Sequence, residues 1–479
     1  MAMRHSKPIH ELRNSSATAR PVRSHRMYIL PMFVSLFLSV ISYAESSYPQ
    51  PHAQTATYGG PAIPTWLSLD LLVRGRTERQ TAIGLTFGND HVYELSRVTG
   101  GIQIKPTSWA VGYAQFMDLH ALGLPLKYTA SNMRDSFDLR QGFLRVGAEK
   151  TSIKAGRQEL TFGGERLVGI SDWSNTSRTF DGISGRFGIT NRLDIFSASV
   201  VKVAPTSFDN HSRGLNFHGI YATIATLLPK TTLEPYLLVK ALPGIKSQQG
   251  TPGNEAEFTL GMRVLERLPL GFEYVAEGAL QRGTYSSNSI HAGAGYGKLG
   301  YGAQIRGNPR IQLEYDYATG NPHRNLNRIS TFDQLYPSSH NVFGLTDLLG
   351  WQNIQQQRLN FDISPRKKLT VSLQQEFLQV ANLHDSVYTG SGGVFVKPPT
   401  VGFASDSIGR EFDASARYVF RDHYTFNAGI AHFSPGTLMV DNSHGSPITL
   451  GYLSITYHLS IIHQTERCGL HHACRHTGN

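Results

Sequence analysis

The sequence is poor in cysteine, in charged residues and in long apolar runs. Cysteine occurs twice in 479 residues, at Cys468 and Cys474, so the body of the chain has no thiol for catalysis or disulfides. Charged residues make up 17%, below the roughly 25% of soluble domains. Outside the N-terminus no apolar run approaches the ~18 residues of a membrane-spanning helix. A thiol enzyme and a helical membrane bundle are therefore excluded, and 40% hydrophobic residues exclude intrinsic disorder.

The formal net charge of +10 is positive, as in many nucleic-acid-binding proteins. Residues 1–44, however, carry six basic residues and one acid, which leaves +5 for the rest of the chain. That remaining charge is dispersed, with no zinc-finger spacing and no RNP-like aromatic motif beside it. We therefore expect no nucleic-acid partner.

The two cysteines lie near the C-terminus among four histidines, His463, His471, His472 and His476. Thiolate and imidazole groups bind metal ions, but the C-x5-C spacing is not a usual zinc pattern and no apolar framework surrounds it. We expect residues 460–479 to be a disordered tail, in which a local disulfide is possible, and a metal site is the weaker alternative. We expect no metal and no cofactor in the protein.

The N-terminal 44 residues have the layout of a secretory signal peptide. Basic residues precede the apolar run 27–44, and Ser42 and Ala44 supply the small side chains of a cleavage site. Pro31 and three serines interrupt the run, which argues against a transmembrane anchor. We expect cleavage near Ala44, a flexible linker over residues 45–65, and export from the cytoplasm; Met27 is an alternative start.

From Trp66 onward, apolar residues recur at every second position, which is the period of a β-strand. In residues 310–317 (RIQLEYDY) apolar and polar side chains alternate, and residues 258–264, 358–363 and 411–420 repeat the pattern. The segments are about 8–12 residues long, close to the ~9–11 residues with which a tilted strand crosses a bilayer. We count roughly 16–18 segments, and bacterial barrels use even numbers. The sequence predicts an all-β, transmembrane, antiparallel up-and-down β-barrel of about 18 strands over residues 66–459.

The connections between the predicted strands differ in length. Short turns are predicted at Glu266–Pro269, Ser364–Lys367 and Arg421–His423, and long irregular stretches at Thr161–Ser177, Ala318–Gly350 and Asn382–Gly409. Barrels of the Gram-negative outer membrane have short turns on one side and long loops on the other. A soluble β-helix would show a fixed short repeat, and none is present. A two-sheet sandwich, the other alternative, would need many short strands with only one apolar face each.

Several motifs closely resemble the signature of the alginate export family. They are Gly156–Leu160, Glu165–Gly169, Asp172–Gly182, Glu314–Gly320, Thr331–Pro337, Gly350–Asn353 and Gly429–Gly436. The resemblance spans roughly residues 66–460 of the chain. It implies an 18-stranded outer-membrane barrel that acts as a passive conduit for anionic polyuronate, and it leaves the cargo of this chain open.

A polyuronate carries a carboxylate on each sugar, and arginine binds carboxylate with two parallel hydrogen bonds. Candidate solute ligands on polar strand faces are Arg74, Arg76, Arg263, Arg358 and Arg417, with Arg192 and Arg310 beside them; the signature adds Arg157, Arg166 and Arg178. The same faces carry acids such as Asp70, Asp194, Glu257, Glu314 and Glu411, so ion pairs that brace the wall are the alternative. Arg157 lies an even number of residues from the apolar Ile153 and therefore on the same strand face. It can reach the lumen only if a bulge or the strand end turns it inward.

No group of residues suggests an enzyme, since the chain lacks G-x-S-x-G and H-E-x-x-H. We predict a passive outer-membrane channel for an anionic polysaccharide or an acidic solute. Expected partners are that solute, outer-membrane lipids and lipopolysaccharide, with periplasmic export components as candidates. The alternatives are a general or acidic-solute uptake porin, a barrel enzyme acting on surface polysaccharide or lipid, and a structural or adhesive barrel.

Overall fold

The computed structural model describes residues 63–247, 250–322 and 327–461. The predicted signal peptide at 1–44 and nearly all of the predicted linker at 45–65 lie outside the described residues. So do the two cysteines and most of the predicted tail at 460–479.

The described chain forms a closed barrel of 18 strands. The strands are β1 Leu67–Gln80, β2 His91–Thr107, β3 Ala110–Leu122, β4 Asp135–Ala148, β5 Thr151–Gln158, β6 Phe180–Gly188, β7 Arg192–Lys202, β8 Asn216–Leu228, β9 Thr231–Lys246, β10 Pro252–Arg267, β11 Phe272–Tyr285, β12 Asn288–Gly302, β13 Arg310–Ala318, β14 Ile354–Arg366, β15 Leu369–Val380, β16 Ser407–Phe420, β17 Tyr424–Pro435 and β18 Ile448–Ile461. Each strand pairs antiparallel with the next, and β18 pairs with β1 from Leu69↔Ile461 to Gln80↔Leu450. The predicted up-and-down barrel is therefore confirmed.

Shorter elements lie in the connections. They are the strands Asn210–His211, Arg328–Ile329, Val387–Tyr388 and Val394–Val396, the 3-10 helices Ile83–Leu85, Leu126–Tyr128, Ser131–Met133, Pro269–Gly271 and Ser339–Asn341, and the α-helix α1, Thr437–Asp441. Within the ranges that the structure describes, no helix is long and apolar enough to cross a membrane.

The strands present an apolar face outward and a polar face inward. On β4, Leu144 and Val146 are 67% and 55% exposed, and Arg145 between them faces the interior. On β13, Leu313 is 60% exposed whereas Glu314 is 2% exposed. An apolar outer belt around a polar interior is the pattern of a barrel that lipid surrounds.

The connections differ in length at the two ends of the barrel. At one end are short turns, such as residues 108–109, 149–150 and 229–230, and at the other are long segments. We name residues 159–179 the first inward segment and residues 319–322 with 327–353 the second inward segment, because both contact the inner face of the wall. Short turns of outer-membrane barrels face the periplasm.

Candidate functional site: the barrel lumen

Wall arginines of β1 and β2 hold the first inward segment inside the barrel. Arg97 Nε donates to the backbone carbonyl of Asn175 at 2.7 Å, and Arg97 Nη1 pairs with Asp172 Oδ1 at 2.6 Å. Arg74 Nη1 donates to the backbone carbonyl of Asp172 at 3.0 Å. Burial disfavours the charged carboxylate, yet Arg97 and Arg74 lower the pKa of Asp172 below its usual range. The predicted residue Arg74 thus binds the chain's own backbone.

Arg76 makes a second anchor beside the first. Its Nη1 donates to the backbone carbonyl of Trp173 at 2.7 Å, and its guanidinium carbon lies 3.7 Å from the centroid of the Trp173 ring. Glu78 pairs with Arg76 Nε at 2.5 Å. The Trp173 ring also stacks on His340 of the second inward segment, with centroids 3.8 Å apart. Arg76 therefore holds both segments through one indole ring.

Arg166 ties the first inward segment to the wall at β13. Its guanidinium pairs with Glu314 and with Asp316, which are 2% and 0% exposed. The guanidinium carbon lies 3.7 Å from the Tyr296 ring centroid, and Arg358 Nη2 pairs with Glu314 at 2.7 Å. Burial opposes the positive charge, but Asp316 and Glu314 raise the pKa of Arg166 above its ordinary value. Arg166 of the inward segment and Arg358 of the wall thus share the buried carboxylate of Glu314.

Arg178 joins the two inward segments to each other. Its Nη1 lies within hydrogen-bonding distance of the backbone carbonyls of Gly169 at 2.7 Å, Tyr336 at 2.6 Å and Pro337 at 3.0 Å. Burial lowers the pKa of Arg178 to about 10. A side chain at Gly169 would collide with the Ser338 hydroxyl, which explains the glycine there. The motifs that carry the family resemblance therefore meet inside the lumen.

Arg263 and Arg417 are the remaining predicted lumen residues. Arg263 Nη1 pairs with Glu234 at 2.7 Å, and its Nε donates to the Tyr296 hydroxyl at 3.2 Å. Arg417 is half-buried on β16, on the face opposite the exposed Tyr418. No hydrogen bond or ion pair joins Arg417 to another residue of the described ranges. Arg417 therefore faces the lumen with its charge available.

Arg157 lies on the outer face of the barrel. It is the direct cross-strand partner of Asp181, with which it forms two hydrogen bonds of 2.8 and 3.1 Å. Its Nη2 also donates to the backbone carbonyl of Asp209 at 3.0 Å. The adjacent Gln158 and Phe180 point inward and are 1% and 0% exposed. The strand end does not turn Arg157 inward, so the predicted position of Arg157 in the lumen is wrong.

A basic stretch of wall lies on β4 to β7 near the short-turn end. We name Arg145, Lys154, Arg186 and Arg192 the basic wall. Arg145 and Lys154 are direct cross-strand partners, and Arg186 and Arg192 pair with Asp194 at 2.8 and 2.6 Å. The Arg186 side chain is 50% exposed. Arg186 and Arg192 thus share one carboxylate, and Arg145 and Lys154 lie side by side without an acid directly opposite either of them in the pairing of β4 with β5.

The sequence-based prediction missed Arg145, Lys154 and Arg186. The available signal was the alternation of side chains along a strand. Ile153 and Leu144 are apolar and point outward, with Ile153 55% exposed, so their neighbours Lys154 and Arg145 must point into the lumen. The ammonium of Lys154 lies 4.5 Å from the Phe143 ring centroid. In the part of the chain that the structure describes, Arg145 has no hydrogen-bond or ion-pair partner.

A closed antiparallel barrel with an apolar belt, short turns on one side and a charged lumen has the architecture of outer-membrane channels. The family model for alginate export matches residues 65–446, and the chain belongs to this family. No curated protein sequence matches the chain.

Solved structures share the fold at low sequence identity. OccD3 (OpdP) of Pseudomonas aeruginosa is 13% identical with a TM-score of 0.58, over 83% of this chain and 92% of that chain. The outer membrane protein OpdK of the same organism is 12% identical with a TM-score of 0.56, over 82% and 99%. A second OpdK structure, solved with vanillate, has 12% identity and a TM-score of 0.57 over 82% and 99%. At this identity the likeness concerns the fold alone.

Proposed function

We propose that this outer-membrane channel passively conducts acidic solutes along the basic wall. The observation that supports this proposal most strongly is the cross-strand pair Arg145–Lys154, which juxtaposes two positive charges without an acid between them. Like charges directly opposite each other destabilise a sheet. A passing carboxylate offsets that repulsion, and weak binding by several fixed cations lets the solute leave as readily as it enters.

Small acids are the cargo that the lumen favours. The two inward segments contact the wall on β1, β2 and β13, and they bury Phe332 and Trp351 completely (0% exposed). An extended polymer needs a wide and continuous path, whereas a small carboxylate needs only a narrow one. Vanillate, with which OpdK was solved, is a small carboxylate. The acidic-solute porin, an alternative from the sequence, is therefore our first candidate.

An anionic polysaccharide is the second candidate, and membership of the alginate export family favours it. Passage of a polyuronate requires the inward segments to move aside from the lumen. The free-energy cost of that movement then depends on the contacts of Arg166 and Arg178. Arg166 holds the first segment to the wall, and Arg178 holds the two segments to each other.

The proposed roles divide the predicted arginines into two groups. Arg417 and the basic wall contact the solute. The other inward arginines are positioning residues that hold the segments or brace the wall, namely Arg74, Arg76, Arg166, Arg178, Arg263 and Arg358.

The remaining features of the proposal concern the surroundings of the barrel. Signal-peptide cleavage near Ala44 delivers the mature chain, and the apolar belt contacts outer-membrane lipids and lipopolysaccharide. Periplasmic export components are candidate partners at the short-turn end. The proposal includes no catalytic step, so purified protein incubated with polysaccharide or lipid releases no product.

Current block in a planar bilayer tests the choice of cargo. Open-channel current through the refolded protein is recorded while vanillate or an oligouronate is added on the short-turn side. Block by vanillate that weakens in Arg145→Gln supports the small-acid channel. Block by oligouronate alone favours the polysaccharide conduit, and an absence of current favours the adhesive or enzymatic barrel.

A further inference from the structure

Three aspartates from two distant parts of the chain meet at the long-loop end of the barrel. Asp135 and Asp138 lie at the beginning of β4, and Asp209 lies in the connection between β7 and β8. One carboxylate oxygen of each lies within 4.8 Å of the other two. The three residues are 0%, 1% and 6% exposed. We name them the aspartate triad.

The hydrogen bonds around the triad leave one carboxylate without a donor. Asp138 accepts from the backbone nitrogens of Leu139 at 2.5 Å and of Asp209 at 2.6 Å, and Asp209 accepts from that of Ala204 at 2.6 Å. Both oxygens of Asp135 are buried and lack a hydrogen-bond donor within the described ranges. An ionised carboxylate that is buried without a donor or counter-ion is strongly disfavoured, so Asp135 either shares a proton with the neighbouring Asp209 carboxylate or binds a cation.

The basic groups nearby are committed elsewhere. Arg157 Nη1 lies 3.9 Å from Asp138, but the same guanidinium forms two hydrogen bonds with Asp181. His211 Nδ1 also faces Asp181, at 3.6 Å. Arg157 therefore leaves most of the negative charge of the triad uncompensated.

We propose that the aspartate triad binds one hard divalent cation of the calcium class. The donors are all carboxylate oxygens, which suit calcium or magnesium rather than copper or zinc. Oxygens on opposite sides of a calcium ion lie up to about 5 Å apart, given Ca–O distances of about 2.3–2.6 Å, which matches the spacing in the triad. Both oxygens of Asp135 coordinate the ion, and Asp138 and Asp209 contribute one oxygen each.

The ion would fasten the connection at residues 203–215 to β4. Asp209 N already donates to Asp138 in this connection, and Ser136 N donates to the Pro205 carbonyl at 3.4 Å. Lys202 and the exposed Arg213 flank the triad residue Asp209 and are trypsin sites. Slower trypsin cleavage at these two sites therefore indicates that the ion holds residues 203–215 against β4.

Calorimetry and limited trypsin digestion of the refolded full barrel test the proposal. After removal of metal ions with a chelator, calcium chloride should bind with a dissociation constant of about 10⁻⁴–10⁻³ M, as in other extracellular sites. Calcium should also slow cleavage after Lys202 and Arg213. Asp135→Asn should abolish both effects while its fold without calcium is at least as stable, because the substitution removes charge repulsion.

Asp118→Asn is the matched control, since Asp118 is an exposed carboxylate on β3 near the same end. This variant should keep the full calcium response. The proposal is overturned if wild-type protein shows no calcium heat and no protection, or if Asp135→Asn responds as wild type does. A response to magnesium equal to that with calcium would overturn the assignment to the calcium class.

Discussion

Arg145 on β4 and Lys154 on β5 are direct cross-strand partners on the inner face of the barrel. Their outward neighbours Leu144 and Ile153 are 67% and 55% exposed, so the pair lies at the lumen side of a lipid-facing wall. Most predicted lumen arginines, such as Arg166, are instead neutralised by acids or bound to backbone carbonyls. We infer that the available positive charge of the channel is concentrated in the basic wall and at Arg417.

Ion selectivity should decline as salt rises, because Arg186 of the basic wall is exposed to solvent and its other three side chains are only half-buried. The Debye length falls from about 10 Å at 0.1 M to about 3 Å at 1 M ionic strength. We expect marked anion selectivity near 0.1 M KCl and weak selectivity near 1 M. Bilayer recordings at a series of KCl concentrations measure this, and salt-independent selectivity would point to a steric filter.

Removal of Arg166 should release the first inward segment. Arg166→Met leaves Glu314 and Asp316 buried with less compensation, and breaking a buried ion pair costs roughly 3–5 kcal/mol. We expect a lower free energy of unfolding in urea and a larger, noisier single-channel conductance.

Arg166→Met/Asp316→Asn separates these two effects. This variant removes the carboxylate left unpaired together with Arg166, while Glu314 keeps its ion pair with Arg358, so stability should recover while the conductance stays large. If Arg166→Met has wild-type stability and conductance, the proposed anchoring role of Arg166 is incorrect.

The anchor between Asp172 and the wall should be sensitive to acid. Burial disfavours the carboxylate, but Arg97 and Arg74 lower its pKa below the usual 3.8. A lowered pKa means that the anchor stabilises the folded state above pH 3.8 and loses that contribution as pH falls through the lowered value. Tryptophan fluorescence, taken as the difference between wild type and Trp173→Phe, should change only below pH 3.8. A transition centred at a higher pH, or its persistence in Asp172→Asn, contradicts this account.

The strands could be predicted from the sequence because their signal is local. The alternation of apolar and polar side chains in residues 310–317 can be read from neighbouring positions alone. The same rule, applied to every strand, identifies Arg145 and Lys154 as residues that face the lumen. The prediction that a bulge or strand end turns Arg157 inward was wrong, because Arg157 stays on the same outward face as Ile153 and pairs there with Asp181.

The partners of the lumen residues could not be predicted in this way. Arg166 and Glu314 are 148 residues apart, and Asp135 begins β4 whereas Asp209 lies in the connection between β7 and β8. Their contacts depend on how the long segments fold back into or onto the barrel. The spacing of apolar residues along the sequence carries no information about such long-range contacts. The motifs indicated that these segments matter, and only the fold shows that Arg178 joins them.

The reversal potential across a KCl gradient tests the central claim most directly. Wild-type channels should be anion-selective, and Arg145→Gln/Lys154→Gln should shift the reversal potential toward cation selectivity with little change in conductance. Arg79→Gln removes an exposed charge on the outer face of β1 and should leave the potential unchanged. Cation selectivity in the wild type, or an unchanged potential in the double variant, would contradict the account.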